Sequence, residues 1–531
     1  MKLFSLRLTT LKSKLYAIVF ASFVVRVVAF FVLPNTASNL APDEGTYAEL
    51  TGWVSKNDLA NQHPYYSGLY NSSKALILPA SLINRLGLSG LDSVRIVASL
   101  LGLLTAVLIV HILLRLCEQY QEVHNFTSNN QIILQILFSI YAFIPSNLVW
   151  SILGLREAAV GFWVLLAFVL IFLVFEVKKN LSLAAALSLL IAIYFVFLSR
   201  PQVGWVLGVT LLIYFLIKVK VKAAQLLIPI TLVGVIAGYA STGASSIQTT
   251  ETFVADRQFA VSTPRDITPS ANAPTEKLTK KPSINEGSTP TTTPTTTPTT
   301  TPTTTPTTTP TTTPTTTPTT TPTTTPKTKA ESEASLNCEY EGQTVSVGGE
   351  MFTCSKEIEK STIIDLKNPG SVVVEQVDAI PQRHEGNKIG AASAIKTLSC
   401  PNAGTSRFDN YFCIAYRAPY TTFTFLFRPL LGADVTSNSS LFAAAENVFW
   451  LGAFLFVLVM FIRNRRLAFF GALAPSLLFF SIYSVGAGAY EGNMGTAFRH
   501  KSLILWVVIL LLASTIVATK ERKAESKELT S

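Results

Sequence analysis

Charged residues are scarce in this sequence. Of its 531 residues, 14% are charged and 49% are apolar, whereas soluble domains carry about 25% charge. Together with a mean hydropathy of +0.40, this composition excludes an ordinary soluble protein and predicts a polytopic membrane protein. The net charge of +10 does not indicate nucleic-acid binding, because most basic residues flank apolar runs, where positive charge sets membrane topology.

Common nucleotide-binding and metal-binding motifs are absent from the sequence. It contains no Walker A loop, no dinucleotide-binding fingerprint and no HExxH sequence. Its five histidines are scattered without ligand spacing, which argues against a structural zinc site.

Cysteine is sparse as well, with five residues in the chain. Cys117 stands alone beside a predicted helix end and is interpreted as a packing residue. The other four, Cys338, Cys354, Cys400 and Cys413, lie in one long polar segment without CxxC spacing. An even count outside the membrane predicts two disulfides, with three possible connectivities. The sequential pairing, Cys338–Cys354 and Cys400–Cys413, is the simplest of the three.

Ten apolar runs are long enough to cross a membrane. They lie near 15–33, 93–115, 131–149, 155–176, 181–199, 202–217, 224–240, 446–462, 467–486 and 501–518. Basic clusters such as Lys178-Lys179 and Arg465-Arg466 follow alternate runs. By the positive-inside rule, this alternation places both termini in the cytoplasm and residues 241–445 outside the plasma membrane. The first run is predicted to be a retained anchor, with cleavage near Ala37 as the alternative.

The predicted fold is therefore an all-α polytopic membrane protein with about ten transmembrane helices and an inserted external segment. Residues 1–240 form a first membrane domain with an external loop at 34–92, and residues 446–531 form the C-terminal membrane part. Between them, 241–335 is predicted to be a disordered linker. Its Thr-Thr-Thr-Pro repeats span 290–326 and are either a passive spacer or an O-glycosylated stalk. Segment 336–445 is predicted to hold a small disulfide-stapled, β-rich domain, with strands in the runs 343–348, 361–366 and 371–380.

Ionisable residues near the predicted external face are the candidate functional residues, because charge at membrane depth is costly unless it is paired or hydrated. Arginine suits an anionic lipid head group, since it binds phosphate through two parallel hydrogen bonds. Arg26, within the first run, is interpreted as structural. The candidate substrate-binding residues are Arg156, Glu157, Arg200, Arg428, Glu446, Asn493, Arg499, His500 and Lys501.

Two adjacent carboxylates, Asp43 and Glu44, follow the first apolar run. Carboxylates at a membrane exit are suited to accept a proton or bind a cation. Alternatively, Asp43 serves as the N-cap of an interfacial helix.

With these residues in place, the chain resembles the GT-C superfamily of polyprenyl-phosphate-sugar-dependent glycosyltransferases, which includes protein O-mannosyltransferases and the aminoarabinose transferase of lipid A. The resemblance covers about residues 15–240 and rests on Asp43-Glu44, Ser93-Val94-Arg95, the run at 145–158 and Arg200-Pro201. It implies that Asp43 is the general base of an inverting sugar transfer. It also implies that Glu44 positions the acceptor or, with Asp43, binds a divalent cation as cofactor.

The resemblance implies a polyprenyl-phosphate-linked sugar as donor and an extracytoplasmic glycan, lipid or protein as acceptor. Arg200 and the Arg499-His500-Lys501 cluster are then the candidates for the lipid phosphate. Two other functions fit the sequence. One is a polysaccharide polymerase or ligase of the O-antigen type, which would depend on late external charges rather than on Asp43. The other is a non-enzymatic transporter or wall-associated membrane protein.

Overall fold

The structure is a computed structural model that describes most of the apolar part of the chain. The described residues are 2–36, 41, 43–62, 64–121, 128–178, 182–242, 344–347, 350–353, 395, 407–435, 437–463 and 470–515. Cys338, Cys354 and Cys400 lie outside these residues, as do the repeats at 290–326. The predicted disulfides and the linker therefore stay predictions.

Helices dominate the described residues. Eleven precede the inserted segment: α1 Lys2–Val32, α2 Asp43–Lys56, α3 Pro64–Asn71, α4 Lys74–Arg85, α5 Gly90–Gln121, α6 Ser128–Phe143, α7 Pro145–Ile152, α8 Glu157–Phe172, α9 Leu183–Ser199, α10 Pro201–Ile217 and α11 Lys222–Ser241. Five lie later in the chain: α12 Arg407–Phe427, α13 Asn438–Arg463, α14 Phe470–Tyr490, α15 Met494–Lys501 and α16 Leu505–Thr515. Helix α12 lies within the predicted external segment 241–445, and it belongs to the helical unit rather than to a separate β-rich domain. A π-helical segment, Leu173–Lys178, continues α8.

Six of the described helices are long and apolar enough to cross a membrane. The count rises to eight if the bent pairs α6–α7 and α15–α16 each form one span. Helices α9 and α10 have 17 residues each, or about 25 Å, which is less than the roughly 30 Å of a hydrocarbon core. The prediction of a helical, multi-span protein is thus confirmed in its coarse form, with six to eight candidate spans among the described helices. The number reaches the predicted ten only if α9 and α10 also cross the membrane.

Proline and small polar residues set several helix boundaries. Pro145 begins α7 and Pro201 begins α10. At a first helical turn the missing N–H of proline has no partner to lose. Ser182 caps α9 by accepting a hydrogen bond from the Ala185 N–H at 3.2 Å. These local signals fix where helices start, and so they fix which side chains stand at helix ends.

Two hydrophobic clusters hold the helices together. The larger draws on α1, α5, α6, α8–α11 and the C-terminal helices. The smaller joins α2 and α4 to the start of α5 and to the turn between α7 and α8. Close contact between the backbones of α12 and α14 also holds the helices together. A Cβ on Gly488 of α14 would lie 2.8 Å from the carbonyl carbon and oxygen of Thr421 in α12.

Strand structure in the described residues is confined to one antiparallel hairpin. Its strands, β1 Thr344–Val347 and β2 Glu350–Thr353, belong to a unit separate from the helical one. β1 lies within the predicted run 343–348, but 361–366 and 371–380 fall outside the described residues. The prediction of a β-rich domain is therefore not supported. Cys117 is buried, in agreement with its interpretation as a packing residue.

Candidate functional site

Six charged or titratable side chains from five helix ends and turns form one connected network. The polar network consists of Asp43 at the start of α2, Glu157 at the start of α8, Arg200 between α9 and α10, Glu491 after α14, and Arg499 and His500 in α15. Asp43 and Arg499, which are hydrogen-bonded, are separated by 456 residues, so the network is a product of tertiary folding.

Glu157 is the centre of the polar network. Its Oε1 lies 3.2 Å from Arg499 Nε, 3.3 Å from Arg200 Nη1 and 3.5 Å from His500 Nε2. The other ring nitrogen of His500, Nδ1, contacts Glu491 Oε1. One buried carboxylate therefore meets three cationic or potentially cationic groups, and this makes Glu157 an anchor for the others rather than an accessible ligand.

Asp43 is the accessible end of the polar network. Its Oδ2 accepts a hydrogen bond from Arg499 Nη1 at 2.8 Å. The Asp43 side chain is 40% exposed, compared with 14% for Arg499 and 2% for Glu157. Of the three groups, Asp43 is the one that a molecule arriving from outside the protein would meet first.

The charge of Arg499 controls the ionisation of Asp43. Burial by itself would raise the pKa of this carboxyl, but the charge and hydrogen bond of Arg499, with a smaller contribution from Arg156, bring the pKa below its ordinary value. Asp43 is consequently a carboxylate at neutral pH and is ready to accept a proton.

Arg156 stands beside this network with neutral partners. Its Nη1 donates to the Ser72 carbonyl at 3.3 Å, to Ser72 Oγ at 3.1 Å and to Ser73 Oγ at 3.4 Å. In the part of the chain that the structure describes, Arg156 forms no ion pair. Gly154 shapes the turn that carries it, with φ +65° and with Val94 Cγ2 only 2.8 Å from where a Cβ would stand. A side chain there would be strained and would clash.

The structure assigns Glu44 a place different from its predicted role in acceptor or metal binding. Glu44 is fully buried, and both of its carboxylate oxygens accept hydrogen bonds from Arg95, at 2.7 and 3.1 Å. Successive residues of a helix point about 100° apart, so Glu44 faces the protein interior while Asp43 faces Arg499. No group of three or more His, Cys, Asp or Glu side chains suited to a metal occurs among the described residues. The divalent cation predicted at Asp43 and Glu44 therefore has one available carboxylate instead of two.

Several other predicted substrate-binding residues have protein partners. Arg428 pairs with Asp434. Asn493 caps α15 by accepting from the Gly495 N–H at 2.9 Å. These contacts fix the ends of helices and leave little of either side chain for a substrate.

A second buried cluster, formed by Glu446, Asn447 and Lys501, lies on the other side of α15. Lys501 Nζ donates to Asn447 Oδ1 and lies 4.4 Å from the centroid of the Phe498 ring. Glu446 accepts from the Ser146 N–H at 3.0 Å and from the Trp450 indole N–H at 2.9 Å. Glu446 and Lys501, both predicted to bind substrate, are thus buried internal contacts that join α7, α13 and α15.

Sequence reasoning brought Asp43, Glu157, Arg200, Arg499 and His500 to one face, and the structure joins them directly. It placed Glu491 among the ionisable residues near the external face but did not name it as a candidate binding residue. It missed two features of this region: Arg95 as the partner of Glu44, and the serines that hold Arg156. A carboxylate one residue beyond an apolar run, as Glu491 is, was a signal available in the sequence. The partners of Arg95 and Arg156 were not marked by any local pattern.

Arg26 lies within α1, buried, as expected of a structural residue. It donates to the Ser22 carbonyl at 3.1 Å and to Ser151 Oγ at 3.1 Å. Its partners lie on α1 and α7, so Arg26 ties these two helices together.

No protein-family model, no curated protein and no solved structure matches this chain.

Proposed function

We propose that this protein is an integral-membrane glycosyltransferase that moves a sugar from a polyprenyl-phosphate donor to an extracytoplasmic glycan, lipid or protein. The supporting observation is the Asp43 carboxylate, ionised and 40% exposed, at the open end of a buried network that contains two arginines. This arrangement combines a proton acceptor with cations suited to phosphate. The proposal includes the predicted ten-span topology, with both termini in the cytoplasm and the polar network at the external face.

In this mechanism Asp43 is the general base. The acceptor hydroxyl loses its proton to Asp43 as the acceptor oxygen bonds to the anomeric carbon of the sugar. The bond between that carbon and the phosphate oxygen breaks, and its electron pair leaves on the phosphate. The products are an inverted glycoside, polyprenyl phosphate and a protonated Asp43, which returns its proton to water.

The arginines act on the phosphate. Charge that develops on the leaving phosphate is stabilised by guanidinium groups positioned before the reaction begins. Arg499 is the nearest to Asp43, and Glu157 holds it in place at 3.2 Å. Glu157 is thus a positioning residue in this mechanism rather than a substrate ligand, and Glu44 stabilises the start of α2 through Arg95.

The test compares wild type with Asp43→Asn in sugar transfer by the purified protein in lipid vesicles. A mixture of polyprenyl-phosphate sugars serves as donor, and release of polyprenyl phosphate is measured. Asparagine keeps the size of aspartate but does not act as a base, so the rate should fall by about 10²- to 10⁴-fold. Asp58→Asn is the matched control. Asp58 follows α2, accepts hydrogen bonds from Asn61 and Gln62, and lies outside the polar network, so this variant should keep the wild-type rate.

Equal rates for wild type and a folded Asp43→Asn variant would overturn the proposal. That result would favour the polymerase or ligase alternative. The expectation would then be that Arg499→Gln abolishes polysaccharide extension while Asp43→Asn does not.

A further inference from the structure

Arg499 has a buried ion-pair contact at one end and a more exposed hydrogen bond at the other. Its Nε lies against the Glu157 carboxylate, which is only 2% exposed, whereas its Nη1 binds the 40% exposed carboxylate of Asp43. Exchange of partners is easier at the exposed contact, because water and dissolved ions reach it and an ion pair of this kind contributes little net stability. Arg499 can therefore change its outer partner while Glu157 keeps the guanidinium in place.

Arg156 adds a second cation beside the same carboxylate. It directly precedes Glu157, whose Oε1 lies 3.2 Å from Arg499 Nε, and it acts electrostatically on both Asp43 and Arg499. Its hydrogen bonds go to neutral oxygens of Ser72 and Ser73. Two guanidinium groups therefore lie close to the partly exposed Asp43 carboxylate, one in contact with it and one acting through its charge.

We infer that Arg499 and Arg156 form an anion-binding site that the Asp43 carboxylate occupies in the resting protein and that a phosphate group displaces. The inference rests on the proposed function for the identity of the anion. A phosphate offers several oxygens and binds arginine through paired hydrogen bonds, so it competes well with the single Asp43 oxygen that now contacts Arg499. Asp43 and phosphate are then alternative partners of one guanidinium.

This exchange would couple donor binding to the activation of the base. Arg499 is the strongest influence opposing the effect of burial on Asp43 and lowering its pKa. When Arg499 turns to the phosphate, that influence weakens and the pKa of Asp43 rises, which makes the carboxylate a better proton acceptor. Asp43 would thus be paired with Arg499 while the donor is absent, and it would be released to act as a base once the donor is bound.

The inference predicts that removing the negative charge of Asp43 strengthens phosphate binding. A purely catalytic or structural role for Asp43 does not predict this. Binding of farnesyl phosphate to the full-length protein in detergent is measured by isothermal titration calorimetry, with farnesol as the uncharged control for partition into micelles. Removing the competing charge in Asp43→Asn should tighten the dissociation constant by about fivefold, the value of a partly exposed ion pair. Asp58→Asn should leave the constant unchanged.

The arginine variants complete the test. Arg499→Gln and Arg156→Gln should each weaken binding, by roughly tenfold or more. Arg499→Lys keeps the charge that Glu157 requires, so it should fold and bind with an intermediate affinity even if the glutamine variant is unstable. The inference would be overturned if Asp43→Asn bound farnesyl phosphate no more tightly than wild type. It would also be overturned if Arg499→Lys and Arg156→Gln both bound farnesyl phosphate with the wild-type affinity.

The binding assay involves no turnover and therefore separates the inference from the proposed function. The predicted order of affinities in a protein without transferase activity would support the anion site and refute the transferase. Transfer that depends on Asp43, with equal affinities in wild type and Asp43→Asn, would support the transferase and refute the competition. No binding of farnesyl phosphate by any variant would refute the inference.

Discussion

Replacing Glu44 by glutamine should destabilise the protein strongly, because Glu44 neutralises a buried cation. The Arg95 side chain is 1% exposed and Glu44 is fully buried, and two hydrogen bonds of 2.7 and 3.1 Å join them. The same guanidinium donates to the carbonyl oxygens of Pro34 and Thr36 at 2.9 and 3.2 Å. Arg95 therefore ties the residues directly after α1 to the start of α2, where Asp43 stands.

The expected loss follows from this burial. Removing one partner of a buried ion pair leaves a charge without compensation and costs about 3–5 kcal/mol. The entropy of unfolding is about 2.1 cal/mol/K per residue, so in a chain of 531 residues each kcal/mol shifts the midpoint of thermal unfolding by about 1 °C. The midpoint should therefore fall by about 3–5 °C, measured as the loss of monodisperse protein after heating in detergent. The double variant Glu44→Gln/Arg95→Gln should recover part of the loss, because it removes the isolated charge as well.

The exposed ion pair between Arg115 and Glu118 provides the matched control. Both side chains are 40% exposed, so Glu118→Gln should cost at most about 0.5 kcal/mol. If Glu44→Gln costs no more than Glu118→Gln, the reasoning from burial is refuted. If Glu44→Gln abolishes sugar transfer while stability is unchanged, Glu44 contacts the substrate after all.

Two further outcomes test the packing and the charges of the C-terminal helices. Gly488→Ala places a methyl group 2.8 Å from the Thr421 backbone and should cost about 1–3 kcal/mol of stability. Gly486→Ala, where nothing lies within 4 Å, should be neutral or stabilising, and equal losses would refute the contact. The hydrogen bond from Arg428 lowers the pKa of Asp434, so this ion pair stabilises the folded state at neutral pH, and the effect disappears as the pH falls through that lowered value. Asp434→Asn should accordingly have a lower midpoint of thermal unfolding than wild type at pH 6. Measured at a series of pH values, the difference between the two midpoints should shrink below about pH 4. A difference that persists in acid would contradict the assignment.

The predictions from sequence that the structure confirms are those that depend on contiguous residues. A run of apolar side chains is a property of one segment, and so the helices near the predicted spans could be found without knowing their neighbours. Pro201 marks a helix start for an equally local reason. Pro145 instead breaks the predicted run 131–149 into two helices bent by 42°. The weakest structural prediction was the β-rich domain, which relied on short runs of β-branched residues and which the described hairpin alone does not support.

The adjacent acidic residues show where local reasoning stops. Asp43 and Glu44 look equivalent in the sequence, and both were assigned to catalysis. The geometry of a helix turns neighbouring side chains about 100° apart, so one faced Arg499 and the other faced Arg95. That divergence was predictable once α2 was known to begin at Asp43, but the identity of the two partners was not.

The sequence alone determined that this is a helical membrane protein and that its ionisable residues collect at helix ends, because hydropathy and charge near apolar runs are set by short stretches of chain. Only the tertiary structure decided that Arg499 meets Asp43 across 456 residues, that Glu157 anchors three neighbours, and that Arg156 has serine partners. Partner choice is a long-range property. A buried charge needs a counter-charge or hydrogen bonds, but the sequence holds many candidates, and only the packing of the helices selects among them.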